Sequence, residues 1–452
     1  MLDTLKKLVS GKRVLVLGYG REGKSTLHRL LHAGGMKEVA VADKNPVEPE
    51  TYGMLPVECI TGPGYLDCLN RFDLVFKTPG IVLPKTPEAY SCRFLSQTEL
   101  FCERYREQTV GITGTKGKST TASLLYHILK EAGRDCLLAG NIGIPVFDMI
   151  EEITEQTIVV LELSCHQLEY MEVSPHRAAL LNLHEEHLDH YGSMEKYVEA
   201  KSHIFRYQKP GDLFFCGEQC LEQGSPCQGR QIVVGDGDPD ADIDLEGTRI
   251  IVKGPGGERE SEFCIRKERT PLLGHHNYYD IAFVYGICRD LGITDDEFAA
   301  GLAGYQPLPH RLQFLGKKDG VKYYDDSIST IGDTTIQALR TLTDADTVLI
   351  GGMDRGIDYG DLIDYLSESE IPHIILMEET GKRIYQEILR YHPEFQRKER
   401  LVLTDHLGTA VRRAKELTRP GRSCVLSPAS ASYGIFRNFE ERGDRFRELV
   451  FS

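Results

Sequence analysis

Short runs of consecutive apolar residues punctuate the chain, and many end in glycine or a small polar residue. The first is Lys12-Arg13-Val14-Leu15-Val16-Leu17-Gly18. Such an unbroken run predicts a strand covered on both faces, as in a parallel sheet. Residues 21–32 then place Leu27, Leu30 and Leu31 at helical spacing, and Glu38-Val39-Ala40-Val41-Ala42-Asp43 predicts a second strand. A third short strand, residues 73–76, ends at Thr78-Pro79-Gly80. The pattern restarts at Thr109-Val110-Gly111-Ile112-Thr113-Gly114, followed by helical spacing over 119–132 and strands over 157–161 and 178–182. Residues 210–265 are rich in Gly, Asp and Pro with short Val/Ile runs, which predicts a small antiparallel excursion. Helical spacing returns over 276–303. Further strands are predicted over 320–325, 347–352, 373–377 and 423–427. The expected fold class is α/β with three successive units.

Composition narrows the functional classes. The 452 residues suffice for two to four domains. Acidic residues outnumber basic ones, 68 to 53, for a formal net charge of −15. That balance repels phosphate backbones and argues against a nucleic-acid partner. The sequence has no apolar stretch of bilayer-spanning length and no signal-peptide core at its start, so no membrane association is expected and the expected location is cytoplasmic. The 12 cysteines form no CxxC pair, which fits reduced thiols rather than a zinc site.

Four segments carry chemistry. Gly114-Thr115-Lys116-Gly117-Lys118-Ser119-Thr120 joins a strand to a helix. Backbone N–H groups of such a turn face phosphate oxygens, with Lys118 reaching the β/γ-phosphates and Ser119 a Mg²⁺ ion. Gly18-Tyr19-Gly20-Arg21-Glu22-Gly23 is a GxGxxG after a strand, with Asp43 twenty residues beyond, which suits a diphosphate and a ribose or base. Glu162 ends a strand and is the metal candidate. Asn182 to His190 contains His184, His187 and His190 but lacks HExxH spacing, so a mixed Mg²⁺ and substrate site is preferred to zinc.

With these segments in order, the chain resembles the Mur ligase family, most closely its glutamate-adding members. The resemblance continues through Gly140-Asn141-Ile142-Gly143, Glu162-Leu163-Ser164, Gly274-His275-His276-Asn277-Tyr278 and His310-Arg311. It ends with Asp325-Asp326-Ser327, Gly351-Gly352 and Ser427-Pro428-Ala429-Ser430-Ala431-Ser432. The family pattern implies a UDP-binding Rossmann-like domain at 1–105, a central P-loop-type ATPase domain at 106–308 and a C-terminal Rossmann-like domain at 309–452. It implies ATP binding by residues 114–120, Asn277, Arg311 and Asp326. Metal ligands would be Ser119, Glu162, His187 and a carbamylated Lys201, holding two Mg²⁺ ions, with Lys118, His187 and Lys201 catalytic. The UDP-substrate would meet Gly18, Tyr19, Gly20, Arg21, Gly23, Asp43, Thr78, Gly80, Asn141 and His187. Glutamate would meet Ser329, Thr330, Arg355, Ser432 and Phe439.

The implied reaction joins glutamate to UDP-N-acetylmuramoyl-L-alanine at the expense of ATP, in peptidoglycan precursor synthesis, by a monomer. Two departures bear on the acceptor. Glutamate-adding members commonly read Asp-Ser-Lys-Ala-Thr where this chain has Asp326-Ser327-Ile328-Ser329-Thr330. Cys165-His166 replaces a commoner Ser-Phe pair. Arg355 can still clamp a carboxylate through paired hydrogen bonds. D-glutamate is therefore the favoured acceptor, with L-glutamate, or another residue added by a Mur-type or folate-type ligase, as alternatives. A dehydrogenase would leave Lys118, Glu162 and Arg311 unexplained.

Overall fold

The computed structural model describes residues 1–47, 57–224, 227–254, 256–272, 274–392, 395 and 398–452. The chain forms two compact units, one of residues 1–271 with 276–305 and the other of 272–275 with 306–452. No helix among the described residues is long and apolar enough to cross a membrane.

The first unit holds two sheets. The N-terminal one is all parallel, with β1 (Arg13–Leu17), β2 (Glu38–Asp43), β3 (Glu58–Thr61), β4 (Leu74–Lys77) and β5 (Arg93–Leu95) in the order β3-β2-β1-β4-β5. Val14 and Val16 pack into one apolar cluster, while Leu15 and Leu17 pack into another on the opposite face. Strand residues alternate sides, so two covered faces require the continuous apolar run seen in the sequence. The strand order reverses between β1 and β4, which opens a crevice at their carboxyl ends, where Gly18 and Thr78 lie.

The second sheet contains β6 (Thr109–Thr113), β7 (Cys136–Gly140), β8 (Ile158–Glu162), β9 (Arg177–Leu180), β10 (Leu213–Gly217), β11 (Arg230–Gly235), β12 (Ile243–Glu246), β13 (Arg249–Lys253) and β14 (Arg259–Cys264). Their order is β14-β13-β12-β11-β10-β9-β6-β8-β7. The antiparallel excursion is smaller than its composition suggests. Strands β10 and β11 extend the parallel sheet, and only β12 to β14 pair antiparallel. The expected helical stretch over 276–303 is two helices, His275–Asp290 and Asp295–Gly304. Thr294 starts the second, its side chain accepting from the Glu297 N–H while Glu297 bonds back in a capping box.

The second unit carries β15 (Gln313–Lys318), β16 (Val321–Asp325), β17 (Ala345–Gly351), β18 (His373–Met377), β19 (Leu401–Thr404) and β20 (Ser423–Leu426), in the order β15-β16-β20-β17-β18-β19. All pairs are parallel except β15 with β16. Val348, Ile350, Ile374 and Leu376 pack on one face, and Leu349, Ile375 and Met377 on the other. The loops after β16, β17 and β20 therefore gather at one edge of the sheet, bringing residues 326–330, 352–358 and 427–432 together.

Candidate active site

Strand β6 runs straight into Gly114-Thr115-Lys116-Gly117 and then the helix Lys118–Glu131. Gly117 caps that helix at φ +81°, in the left-handed region that favours glycine, and makes no side-chain cap bond. An added Cβ there would collide with the carboxylate of Asp280, buried on the helix His275–Asp290. Asn277 sits three residues from Asp280 on the same helix, which places the two on neighbouring positions of one face. The segment after β9 braces the loop. Lys116 N donates to Asn182 Oδ1 at 2.8 Å, Asn182 Nδ2 donates to Lys116 O at 3.1 Å, and Thr115 N donates to Asn182 O at 3.0 Å. Thr115 Oγ1 accepts from His184 N at 2.9 Å and lies 2.9 Å from the Tyr197 hydroxyl. Thr115 is thus held in structural bonds, and Lys116 pairs with Glu186 at 3.2 Å. Ser119 and Thr120 occupy the first turn of the helix, whose uncapped N–H groups and dipole suit an anion.

Lys118 curls back over this loop, donating to the carbonyls of Gly114 and Thr115 at 2.9 Å each. Burial holds its pKa below the usual lysine range, against the opposing pull of Glu162. Glu162, at the end of β8, is fully buried. Its Oε1 accepts from Asn141 Nδ2 at 2.8 Å, while Oε2 has no hydrogen-bond partner among the described residues. A polar oxygen buried without a partner costs free energy, and a carboxylate oxygen is a hard-cation ligand, so this atom fits a bound cation. Lys201, on the helix Met194–Arg206, is buried, with Nζ 2.8 Å from Gly114 O and 3.4 Å from Thr113 Oγ1. Burial, reinforced by Lys118, lowers its pKa to about 7.

His187 adopts φ +57°, rare for a residue with a side chain. Its ring meets His166 edge-on with centroids 4.9 Å apart, and His166 in turn meets His190 at 4.4 Å. Burial, with His190 and His187 adding repulsion, pushes His166 down to about 4. Of the three histidines weighed for zinc, His187 and His190 each pack edge to face against His166, and His190 Nε2 lies 3.4 Å from Glu169. His184 contributes its backbone N–H. Among the described residues, the group with converging ligand atoms is Glu107, His176 and Asp212. Arg106 bonds both Glu107 and Asp212, and His176 Nδ1 is 2.7 Å from Asp212, so the ligand atoms of this group are already engaged in an ion-pair and hydrogen-bond network.

The first glycine-rich loop is shaped by close approach. A Cβ on Gly18 would collide with Thr78 Oγ1, which itself donates to Leu17 O at 3.0 Å, and one on Gly23 would strike Gly18 O. Asp43 accepts from Tyr19 N at 2.7 Å and from Asn45 N at 2.8 Å, so it braces the loop. Gly20 precedes the helix Arg21–Ala33, and Gly80 is exposed beyond Thr78. Arg21 reaches the carbonyls of Asn141 at 3.2 Å and Gly143 at 3.4 Å. The same helix is tied onward by Gln167 Nε2 to Glu22 at 2.7 Å, Ser25 Oγ to Asp148 at 2.7 Å and Arg29 to Glu151 at 2.5 Å. Sequence reasoning did not single out these three partners. Their polar face on an otherwise amphipathic helix was the available signal.

The second unit gathers its own cluster. Asp326 is buried and accepts from Leu312 N at 3.0 Å and Ser427 Oγ at 2.7 Å. Burial raises its pKa to about 6, against those hydrogen bonds and nearby Arg311. Arg311 is half-buried, and its Nε has no hydrogen-bond partner among the described residues. Ser329 N donates to Asp326 O at 2.9 Å, and Arg355 Nη2 donates to Thr330 O at 2.8 Å. Met353 N donates to Ala431 O at 2.9 Å, next to buried Ser432. Phe439, the first residue of the helix Phe439–Phe451, lies 6.2 Å from the His310 ring. Arg442 was missed. It is fully buried and donates to Ser327 Oγ at 3.0 Å and Ser327 O at 2.8 Å, with burial lowering it to about 10. Its i, i+4, i+8 alignment with buried Phe446 and Val450 was the legible sign.

Residues 112–288 match the Mur ligase middle domain. The UDP-N-acetylmuramoylalanine–D-glutamate ligase of Ruminiclostridium cellulolyticum is 31% identical over 464 residues, covering 99% of this chain and 98% of the relative. The enzyme of the same name from Symbiobacterium thermophilum is 32% identical over 458 residues, covering 97% and 98%. Among solved structures, MurF from Acinetobacter baumannii superposes with a TM-score of 0.63 at 18% identity, covering 99% of this chain and 92% of that one. The MurF ligase of Thermotoga maritima, solved with ADP, gives 0.59 at 18% identity, covering 98% and 95%. The chain belongs to the Mur ligase family.

Proposed function

We propose that this protein is an ATP-dependent amide ligase that adds D-glutamate to UDP-N-acetylmuramoyl-L-alanine in the cytoplasm, working as a monomer. The observation that carries the reading is the convergence of Lys118, Lys201 and Glu162, one of whose oxygens has no hydrogen-bond partner among the described residues, around one phosphate loop. The domain division at 105 and 308 belongs to this proposal, with the nucleotide in the middle segment and the acceptor at the edge formed by residues 326–330, 352–358 and 427–432.

The substrate carboxylate attacks the γ-phosphorus of ATP, the β–γ bridging bond breaks, and ADP leaves. The amine of glutamate then attacks the acyl carbon and loses a proton, and inorganic phosphate departs with one former carboxylate oxygen. Lys118, freed from the Gly114 and Thr115 carbonyls, neutralises phosphate charge during transfer. Glu162, Ser119 and His187, with a Lys201 carbamate, are the groups that would hold Mg²⁺, which when bound offsets the charge of the triphosphate and the attacking carboxylate. Lys201 at a pKa of about 7 is half amine near neutrality. An amine adds CO₂ to give a carbamate and releases one proton, and two positive charges crowded beside Gly114 are thereby relieved. Asn141 orients Glu162. Asn277, Arg311 and Asp326 are assigned to the nucleotide. Gly18 to Gly23, Asp43, Thr78 and Gly80 are assigned to the UDP end. Ser329, Thr330, Arg355, Ser432 and Phe439 are assigned to the acceptor.

The acyl-phosphate route is tested with ¹⁸O in the alanyl carboxylate. One label is expected in the released phosphate for each amide formed. Label retained wholly in the amide product and in water would reject the route.

A further inference from the structure

The loop that presents Arg355 is held from a neighbouring helix, Glu378–Tyr391. Arg383 on that helix donates through Nη1 to Asp354 Oδ1 at 2.8 Å and through Nη2 to Ile357 O at 2.6 Å. Its guanidinium carbon lies 5.3 Å from the ring centre of Tyr359, and its Nε donates to Glu387 at 2.8 Å. One side chain therefore grips the loop at residues 354, 357 and 359. Asp354 Oδ1 also accepts from Gly356 N at 2.9 Å, and Gly356 takes φ +71°, which closes a tight turn around Arg355. Arg355 projects from that turn with Nη2 on Thr330 O. The two acceptors of Arg383 diverge, so a planar fork reaches both where a lysine ammonium would reach one. Ile328 brings no charge to the adjoining segment, which places more of the recognition of an acceptor carboxylate on where Arg355 is held.

We propose that Arg383 is a positioning residue for acceptor recognition. By fixing residues 354–357 it aims the Arg355 guanidinium at a carboxylate of the acceptor amino acid, without touching the acceptor itself. The inference rests on Arg355 being an acceptor contact.

The test uses the full-length protein and steady-state phosphate release with ATP, Mg²⁺, UDP-N-acetylmuramoyl-L-alanine and D-glutamate. Arg383→Met keeps a stem over Tyr359 and loses the fork. It is expected to raise KM for glutamate about tenfold or more, the scale of one misplaced charge-assisted hydrogen bond. KM for ATP is expected to stay within about twofold of wild type, and kcat at saturating glutamate within about threefold, by the same differential-binding logic. Arg383→Lys should fall between. In an Arg355→Ala background the same substitution should add little, since the residue acts through Arg355. Glu387→Gln, which touches Arg383 but not the loop, is the control. Should Arg383→Met not fold, Asp354→Asn gives the same readout through the other end of the contact. An unchanged glutamate KM, or a full penalty persisting without Arg355, would overturn the proposal. If Arg355→Ala alone leaves glutamate KM unchanged in an active enzyme, it is the assignment of Arg355 that has failed, and the proposal falls with it.

Discussion

Asn141 donates its side-chain N–H to one oxygen of Glu162 at 2.8 Å, while the other oxygen of Glu162 is buried without a hydrogen-bond partner among the described residues. The pair is a carboxylate oriented by one neighbour and left open on its far side. Asn141→Ala is expected to weaken Mn²⁺ binding, read by loss of the free-ion EPR signal with a non-hydrolysable ATP analogue, by about 10–100-fold. Glu162→Gln should weaken it further. Equal Mn²⁺ affinity in all three proteins would remove Glu162 from the metal site.

Lys118 donates to two loop carbonyls, those of Gly114 and Thr115. Replacing it with alanine removes a buried cation held below its ordinary pKa, so the fold should survive with little change in thermal midpoint. ADP formation should fall by at least about 10³-fold, the scale at which a charge on the transferred phosphoryl group acts. ADP release at the wild-type rate would mean the loop does not bind the triphosphate.

Lys201 is expected to form its carbamate in a pH-dependent way. Its folded pKa of about 7 lies below the ordinary 10.5, so the amine form grows as pH rises through neutrality. With ¹³C-bicarbonate, a carbamate carbon signal should strengthen from about pH 6 to about pH 8 and be absent in Lys201→Arg, following that titration. A signal unaffected by the substitution would place the carbamate elsewhere or nowhere.

Asp326 should make the second unit less stable as pH rises. Its folded pKa of about 6 exceeds the ordinary 3.8, so the folded state holds the proton more tightly. The associated stability is full below about pH 4 and is lost as pH rises through about 6, a change of up to about 3 kcal/mol. Asp326→Asn keeps an acceptor for Leu312 N–H and should flatten this dependence, unfolding at a higher temperature than wild type near neutrality while losing activity. Identical pH slopes for the two proteins would contradict the assignment.

Much of this architecture is legible in the amino-acid sequence. Val14 to Leu17, Val348 to Ile350 and Ile374 to Leu376 read as buried parallel strands because their apolar runs are unbroken, and the loop at Gly114 read as a phosphate cradle because strand, glycines, lysine and helix follow in order. Short edge strands such as β3 and β5 carry too few apolar residues to announce themselves. The misjudged extent of the antiparallel excursion has a similar origin: β10 and β11 are distinguished from β12 only by what they pair with, which composition does not encode. Site partnerships were the least visible. That Asp43 braces Tyr19, that Arg21 meets the Asn141 turn and that Arg442 is buried under Ser327 all depend on segments brought together by the fold, 24, 120 and 115 residues apart respectively.

Acceptor-dependent phosphate release with ATP, Mg²⁺ and UDP-N-acetylmuramoyl-L-alanine, measured against a panel of D- and L-amino acids, tests the proposed activity most directly. Release that requires D-glutamate, with ADP, phosphate and amide product in equal amounts, is the expected result. Release with L-glutamate alone would reassign the stereochemistry of the acceptor edge, and no release with either glutamate would contradict the proposed activity.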